Sequence, residues 1–88
     1  NIASYSFLTC LLAKHCDLEP GEFSYFLGNT HIYDDHIEPL KNQVLREPLP
    51  FPTLHIERKC DKIDDYKFED FIIKDYKHHD SIKMNMSA

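Results

Sequence analysis

The sequence predicts an α+β chain, and three observations carry that expectation. Ile2–Cys16 is an apolar run whose large side chains recur at helical spacing. Thr53–Glu57 alternates, with Leu54 and Ile56 on one face, the pattern of a half-buried strand. Between them, a capping pattern at Asp35 opens a second amphipathic segment that prolines close.

In the first helix, Ile2, Ala3, Phe7, Leu8, Leu11 and Leu12 cover most of the circumference, so the helix is expected to be buried nearly all round. Glu19-Pro20-Gly21-Glu22 is expected to end it in a type II turn, with proline presetting φ and glycine accepting the positive φ that follows. Phe23–Tyr33 reads as extended, and Gly28 within it suggests a bulge or a close backbone approach. A second helix starts near Asp35, which can cap it while Glu38 reaches back. Pro39 falls in or next to the first turn, where a missing N–H costs little. Ile37, Leu40, Val44 and Leu45 form its apolar stripe, and Pro48, Pro50 and Pro52 make a stiff connector beyond it. After the strand at Thr53–Glu57, Lys62–Asp70 reads as a short helical turn and Phe71–Lys74 as a short strand. The tail, Ser81–Ala88, alternates again, with Ile82, Met84 and Met86 on one side and Lys83 and Asn85 on the other.

With 88 residues the chain is at most one small domain. Such a chain buries only ~60–65% of the surface exposed by its unfolded form. Six Phe and five Tyr are more apolar mass than so small a body usually hides. That suits a piece packed against more protein or against a second copy. A formal net charge of −5 disfavours a nonspecific grip on nucleic acid. Lys14, His15 and Asp17 stop the first apolar run short of the ~18–20 residues of a membrane span. A basic start and a small-residue cleavage site are both missing, so no signal peptide is expected. Three irregularly spaced cysteines imply no disulfide framework, and cytosol is the default compartment. The chain opens on Asn1 rather than methionine, which predicts a segment of a longer polypeptide.

Alternate residues of an extended segment share a face, so His31 and Tyr33 are expected to point together and Ile32 away. An imidazole beside a phenol can donate to and accept from a sugar hydroxyl. The competing reading is a strand end whose polar tips meet solvent. Asn1 precedes the apolar helix, and its carboxamide offers an acceptor and donors that complement the uracil N3–H and O4. The competing reading there is a plain N-cap. His15, Cys16, His55, His78 and His79 fit none of the usual zinc spacings, so no metal is expected. Cys10 reads as a core residue, and neither Cys16 nor Cys60 looks like an activated nucleophile. Asp64-Asp65 and Glu69-Asp70 read as solvated surface charge.

Together these blocks resemble the C-terminal portion of thymidylate synthase. The resemblance runs the whole length. It includes Asn1-Ile2-Ala3-Ser4-Tyr5, Leu18-Glu19-Pro20-Gly21-Glu22-Phe23 and Leu27-Gly28-Asn29-Thr30-His31-Ile32-Tyr33. It continues through His36-Ile37-Glu38-Pro39-Leu40, Arg46-Glu47-Pro48-Leu49-Pro50-Phe51-Pro52, Lys62-Ile63-Asp64-Asp65 and Ile82-Lys83-Met84. The resemblance implies a mixed sheet around a buried central helix, of which residues 1–88 are the C-terminal segment. It implies reductive methylation of dUMP to dTMP with 5,10-methylenetetrahydrofolate as co-substrate and no metal. The dUMP contacts it implies are Asn1 on the uracil edge, His31 and Tyr33 at the deoxyribose 3′-hydroxyl, and Ile32 between them. The folate contacts are Lys83, Met86, Ser87 and Ala88, in a tail over 81–88 that closes on the ligand. The implied partners are the remainder of the polypeptide and a second subunit in a homodimer, with no membrane and no specific nucleic acid.

The chain departs from the family pattern in two places. Met86-Ser87-Ala88 stands where the family often ends Met-Ala-Val, and Asn29-Thr30 replaces the commoner Asp-Ala. Local retuning of hydrogen bonds is expected at both. The family's nucleophilic cysteine and phosphate-binding arginines lie upstream of the position matching Asn1, so no catalytic residue is expected in this segment and it should not act alone. His78-His79 and the Ser-Ala ending resemble enzymes in which dihydrofolate reductase is fused ahead of the synthase. Two rival readings remain. A dCMP hydroxymethylase of the same fold carries Asp at the position of Asn1, so Asn1 argues for dUMP. The other rival is a non-catalytic binding or dimerisation fragment.

Overall fold

A computed structural model describes residues 1–86 and divides the chain into two units. The first comprises Asn1–Phe26 with Phe51–Tyr76, and the second Leu27–Pro50 with the described part of Lys77–Ala88.

In the first unit, helix α1 (Ile2–His15) lies against an antiparallel hairpin of β1 (Thr53–Ile56) and β2 (Phe71–Lys74). The ladder runs from Thr53 opposite Lys74 to Ile56 opposite Phe71, and Glu57 N–H to the Asp70 carbonyl extends it at 2.8 Å. The alternation predicted over 53–57 is realised: Leu54 and Ile56 are the covered side chains of β1. The described residues hold this two-stranded antiparallel sheet and not the mixed sheet expected from the resemblance.

Helix α1 does not follow the expectation of burial all round. Ala13 is its one buried residue. The side toward the hairpin carries small groups, Ser6, Thr9, Cys10 and Ala13, at spacings of one helical turn. Small side chains let the helix approach the sheet closely. The opposite side carries Tyr5, Leu8 and Leu12, which stay 41–55% exposed. Two four-residue strands cover one stripe of a helix and no more. Phe7 reaches round to meet Phe71 edge to face, with ring centroids 4.8 Å apart.

The stop signal of α1 also differs from the expectation. Neither glycine has positive φ, so Gly21 makes no type II turn of the predicted kind. The helix ends earlier, at Asp17, in the left-handed region with φ 57°. Leu18 N–H donates to the Ala13 carbonyl at 2.8 Å and Asp17 N–H to Lys14 at 3.3 Å, the paired bonds of a Schellman motif. Lys14 and His15 in the last turn complement the negative end of the helix dipole. The Asp17 carboxylate bonds Lys59, whose hydrogen bond and charge hold it below the usual carboxylate range. Gly28 has open space where a side chain would stand, so no close backbone approach requires it.

The loop between the strands contains two 3-10 turns, Ile63–Asp65 and Phe68–Asp70, in place of one helical turn. Asp70 corrects a second expectation, since it is buried rather than solvated. Its carboxylate accepts Arg58 Nε–H at 2.7 Å and Lys67 N–H at 2.8 Å.

The second unit is built on helix α2 (Ile37–Val44), entered through a 3-10 turn at Asp34–His36. Pro39 stands in the first turn of α2 as predicted. The expected Asp35 cap is not formed, and Glu38 instead accepts Lys41 Nζ–H at 2.8 Å. The extended segment predicted over 23–33 joins no sheet and bends at Gly28-Asn29.

Candidate functional site

Asn1 sits at the N-terminus of α1, in the first unit. Its backbone carbonyl starts the helix by accepting Tyr5 N–H at 3.1 Å, but its side chain makes no capping hydrogen bond. The plain N-cap reading is therefore not realised. The carboxamide is exposed, with its acceptor and two donors turned to no helical N–H.

His31, Ile32 and Tyr33 lie in the second unit, on the stretch that feeds α2, and all three are exposed. Tyr33 has extended backbone, with φ −70° and ψ 147°. Its carbonyl accepts His36 N–H at 2.9 Å, which fixes the step from extended chain to helix. Its ring packs edge to face on the His36 imidazole, with centroids 5.3 Å apart. The phenol ring is thus braced on one side, and the residue as a whole stays 49% exposed. Ile32 turns to the apolar side of α2 and lines a groove with Ile37, Leu40 and Val44.

The tail belongs to this same unit. Ile82 and Met84 are half-buried while Lys83 and Asn85 are exposed, so the predicted alternation holds that far. Met86 breaks it, being 96% exposed. Ser87 and Ala88, expected as folate contacts, lie outside the described residues.

Among the described residues, three long-range hydrogen bonds tie the tail to the residues that flank α2. His79 Nε2 bonds the Glu47 carbonyl at 2.8 Å, Arg46 Nη1 donates to the Asp80 carbonyl at 2.6 Å, and His36 Nε2 bonds the Asn85 carbonyl at 2.6 Å. Gln43, Arg46, Asp80, Ile82 and Met84 line a shallow groove of about 210 Å³ along this contact. The tail therefore runs antiparallel to α2, from Glu47 back to His36. A carbonyl oxygen only accepts, so His36 and His79 each carry a proton on Nε2.

The anchoring residues His36 and Arg46 carry no pattern in the sequence that marks them as anchors. Their partners are main-chain carbonyls 49 and 34 residues away, which carry no side-chain signature.

Cys10, Cys16 and Cys60 are free thiols, and Cys60 is buried. Among the described residues no three His, Cys, Asp or Glu side chains converge as metal ligands. His15 Nδ1 instead bonds the Tyr66 hydroxyl at 3.3 Å, within the packing of α1. No helix among the described residues is long and apolar enough to cross a membrane.

Comparison with known proteins gives one consistent result. The family model described as thymidylate synthase matches residues 1–88. The chain is 56% identical to thymidylate synthase of Homo sapiens over all 88 residues, which cover 28% of that protein. It is 54% identical, again over its full length, to thymidylate synthase of Saccharomyces cerevisiae, covering 29% of it. It is also 48% identical to the bifunctional dihydrofolate reductase-thymidylate synthase of Plasmodium chabaudi, covering 15%. The chain thus spans less than a third of the length of these relatives.

Proposed function

The chain belongs to the thymidylate synthase family, and from that premise we propose that it is the segment of a dUMP-methylating enzyme that carries uracil, deoxyribose and folate contacts. The complete polypeptide converts dUMP to dTMP, with 5,10-methylenetetrahydrofolate as carbon donor and reductant and dihydrofolate as the second product. The observation that carries the reading is the match through all 88 residues at 48–56% identity. A chain that merely shared an architecture would not keep every block in order.

Each proposed contact has a physical basis. Asn1 presents a carboxamide that complements the N3–H and O4 of uracil. Cytosine reverses both groups, and each unmatched pair costs ~1–3 kcal/mol at a dry site. His31 and Tyr33 present hydroxyl-compatible groups on one stretch of chain, and the Tyr33 ring is supported by His36. Met86 offers a free apolar side chain close to the anchored stretch of tail, suited to lie on a flat ring system. A tail that closes over the ligand excludes water and holds reacting atoms near attack distance. The nucleophilic cysteine and the phosphate-binding arginines are proposed to come from polypeptide outside these residues.

The outward side of α1 fits the same reading. Tyr5, Leu8 and Leu12 would be covered by the rest of the polypeptide, making α1 the central helix of a mixed sheet fold, and the whole would pair as a homodimer in the cytosol.

The test is an assay of the complete polypeptide with dUMP and methylenetetrahydrofolate, following dihydrofolate by absorbance and dTMP by chromatography. Formation of both in equal amounts is expected. Hydroxymethylation of dCMP in preference to dUMP would overturn the reading in favour of the related chemistry. Absence of both products would favour a binding or dimerisation role.

A further inference from the structure

We propose that His36 is a positioning residue for the folate-side tail, holding its backbone at Asn85 while bracing the ring of Tyr33. This rests on the reading of Tyr33 as a nucleotide contact and of the tail as a folate contact.

The geometry is specific. His36 is the last residue of the 3-10 turn that precedes α2. Its side chain is 18% exposed, and its two ends are occupied differently. The Nε2–H donates to the Asn85 carbonyl at 2.6 Å. The ring face meets Tyr33 at 5.3 Å and 61°. One imidazole therefore touches the stretch proposed to bind the nucleotide sugar and the stretch proposed to bind folate. Asp35 Oδ1 lies 3.9 Å from the same Nε2.

The bond to Asn85 also sets where the tail is held. His79 with Glu47 and Arg46 with Asp80 fasten its start. His36 is the far anchor, next to Met86, which is 96% exposed. Without the His36 bond, the side-chain hydrogen bonds at the start of the tail, residues 79–80, and the half-buried packing of Ile82 and Met84 remain, and none of these holds the chain at Asn85. The position of Met86 would then be spread over many conformers. Ordering it would draw on folate binding energy, so the loss falls on folate affinity more than on dUMP affinity.

Two kinds of substitution separate the bond from the ring. His36→Phe keeps a ring against Tyr33 and removes the donor, and His36→Leu removes both. His36→Gln keeps an N–H donor the same number of bonds from Cα and removes the ring. In the complete enzyme, the Phe and Leu variants are expected to raise the KM for methylenetetrahydrofolate by about five- to tenfold, the span of one net hydrogen bond. The dUMP dissociation constant should move less than about twofold. The Gln variant should restore the folate KM to within about twofold of wild type. A folate KM that is unchanged in Phe and Leu, or raised equally in Gln, overturns the proposal.

A second readout does not depend on activity. Trypsin cleavage after Lys83 in the ligand-free complete protein should speed up in the Phe and Leu variants and stay at the wild-type rate in the Gln variant. Equal rates in all would overturn the tail anchor. A wild-type protein inactive on dUMP would overturn the functional reading instead, and the cleavage rates would still decide the anchor.

Discussion

Arg58 and Asp70 close the loop between the two strands: Arg58 Nε–H donates to Asp70 Oδ1 at 2.7 Å, and Arg58 Nη2–H donates to the Asp65 carbonyl at 2.8 Å. The guanidinium first, and then the Lys67 backbone N–H, hold the Asp70 carboxyl below the usual carboxylate range. The unfolded chain thus takes up this proton before the folded one does. Stability from Asp70 is fully present above its unfolded pKa of ~3.9 and is lost as pH falls through the lower folded value. Asp70→Asn in the complete protein should lower stability at neutral pH and flatten the acid side of the melting profile. Thermal melts across that range check it. An acid side as steep as wild type would show that other carboxylates carry the acid response.

The residue after β2, Asp75, adopts φ 58°. The left-handed region costs an ordinary L-residue ~1–2 kcal/mol, less for Asp and nothing for Gly. Asp75→Gly should leave stability unchanged or raise it by up to ~1 kcal/mol. Asp75→Val should lower it by ~1–2 kcal/mol. Denaturant titration of the complete protein distinguishes the two, and a Val variant as stable as the Gly variant would contradict the backbone argument.

Phe7 and Phe71 join α1 to the hairpin edge to face. Such pairs contribute ~0.5–1.5 kcal/mol beyond area burial. A double-mutant cycle with Phe7→Leu and Phe71→Leu should return a coupling energy in that range. Strict additivity would mean that the rings are neighbours without specific interaction.

Asn1→Asp should move relative kcat/KM from dUMP toward dCMP, because an acid at that position reverses the donor and acceptor offered to the base. The shift should reach about tenfold or more, the span of one mismatched polar pair. Competing the two nucleotides in one reaction measures it directly. An unchanged ratio would remove Asn1 from the uracil edge.

Tyr33→Phe keeps the ring on His36 and deletes the hydroxyl. The KM for dUMP should rise by about five- to tenfold, as expected for one lost hydrogen bond. The KM for folate should change by less than about twofold, which separates this variant from His36→Phe. A rise confined to folate would place the Tyr33 hydroxyl on the wrong ligand.

Much of the local structure was legible in the sequence. Helical spacing marked α1, alternation marked β1, and Pro39 was compatible with the first turn of α2. These features depend on backbone period and on what a residue does to its own φ. Stop signals are less local. Pro20-Gly21 has the composition of a turn, yet the helix ends at Asp17, whose left-handed φ is allowed by its short polar side chain and offset by two carbonyl contacts.

Composition and motif order alone determined the family, the α+β class and the candidate residues Asn1, His31 and Tyr33, because those depend on side-chain identity in a fixed order. Only the tertiary structure decided which side of α1 meets the hairpin, that Asp70 is buried on Arg58, and that His36 reaches Asn85. An apolar helix covered all round its surface does not say which stripe a short sheet will take. A main-chain carbonyl is the same at every position, so a histidine's choice among them is made by the path of the folded chain.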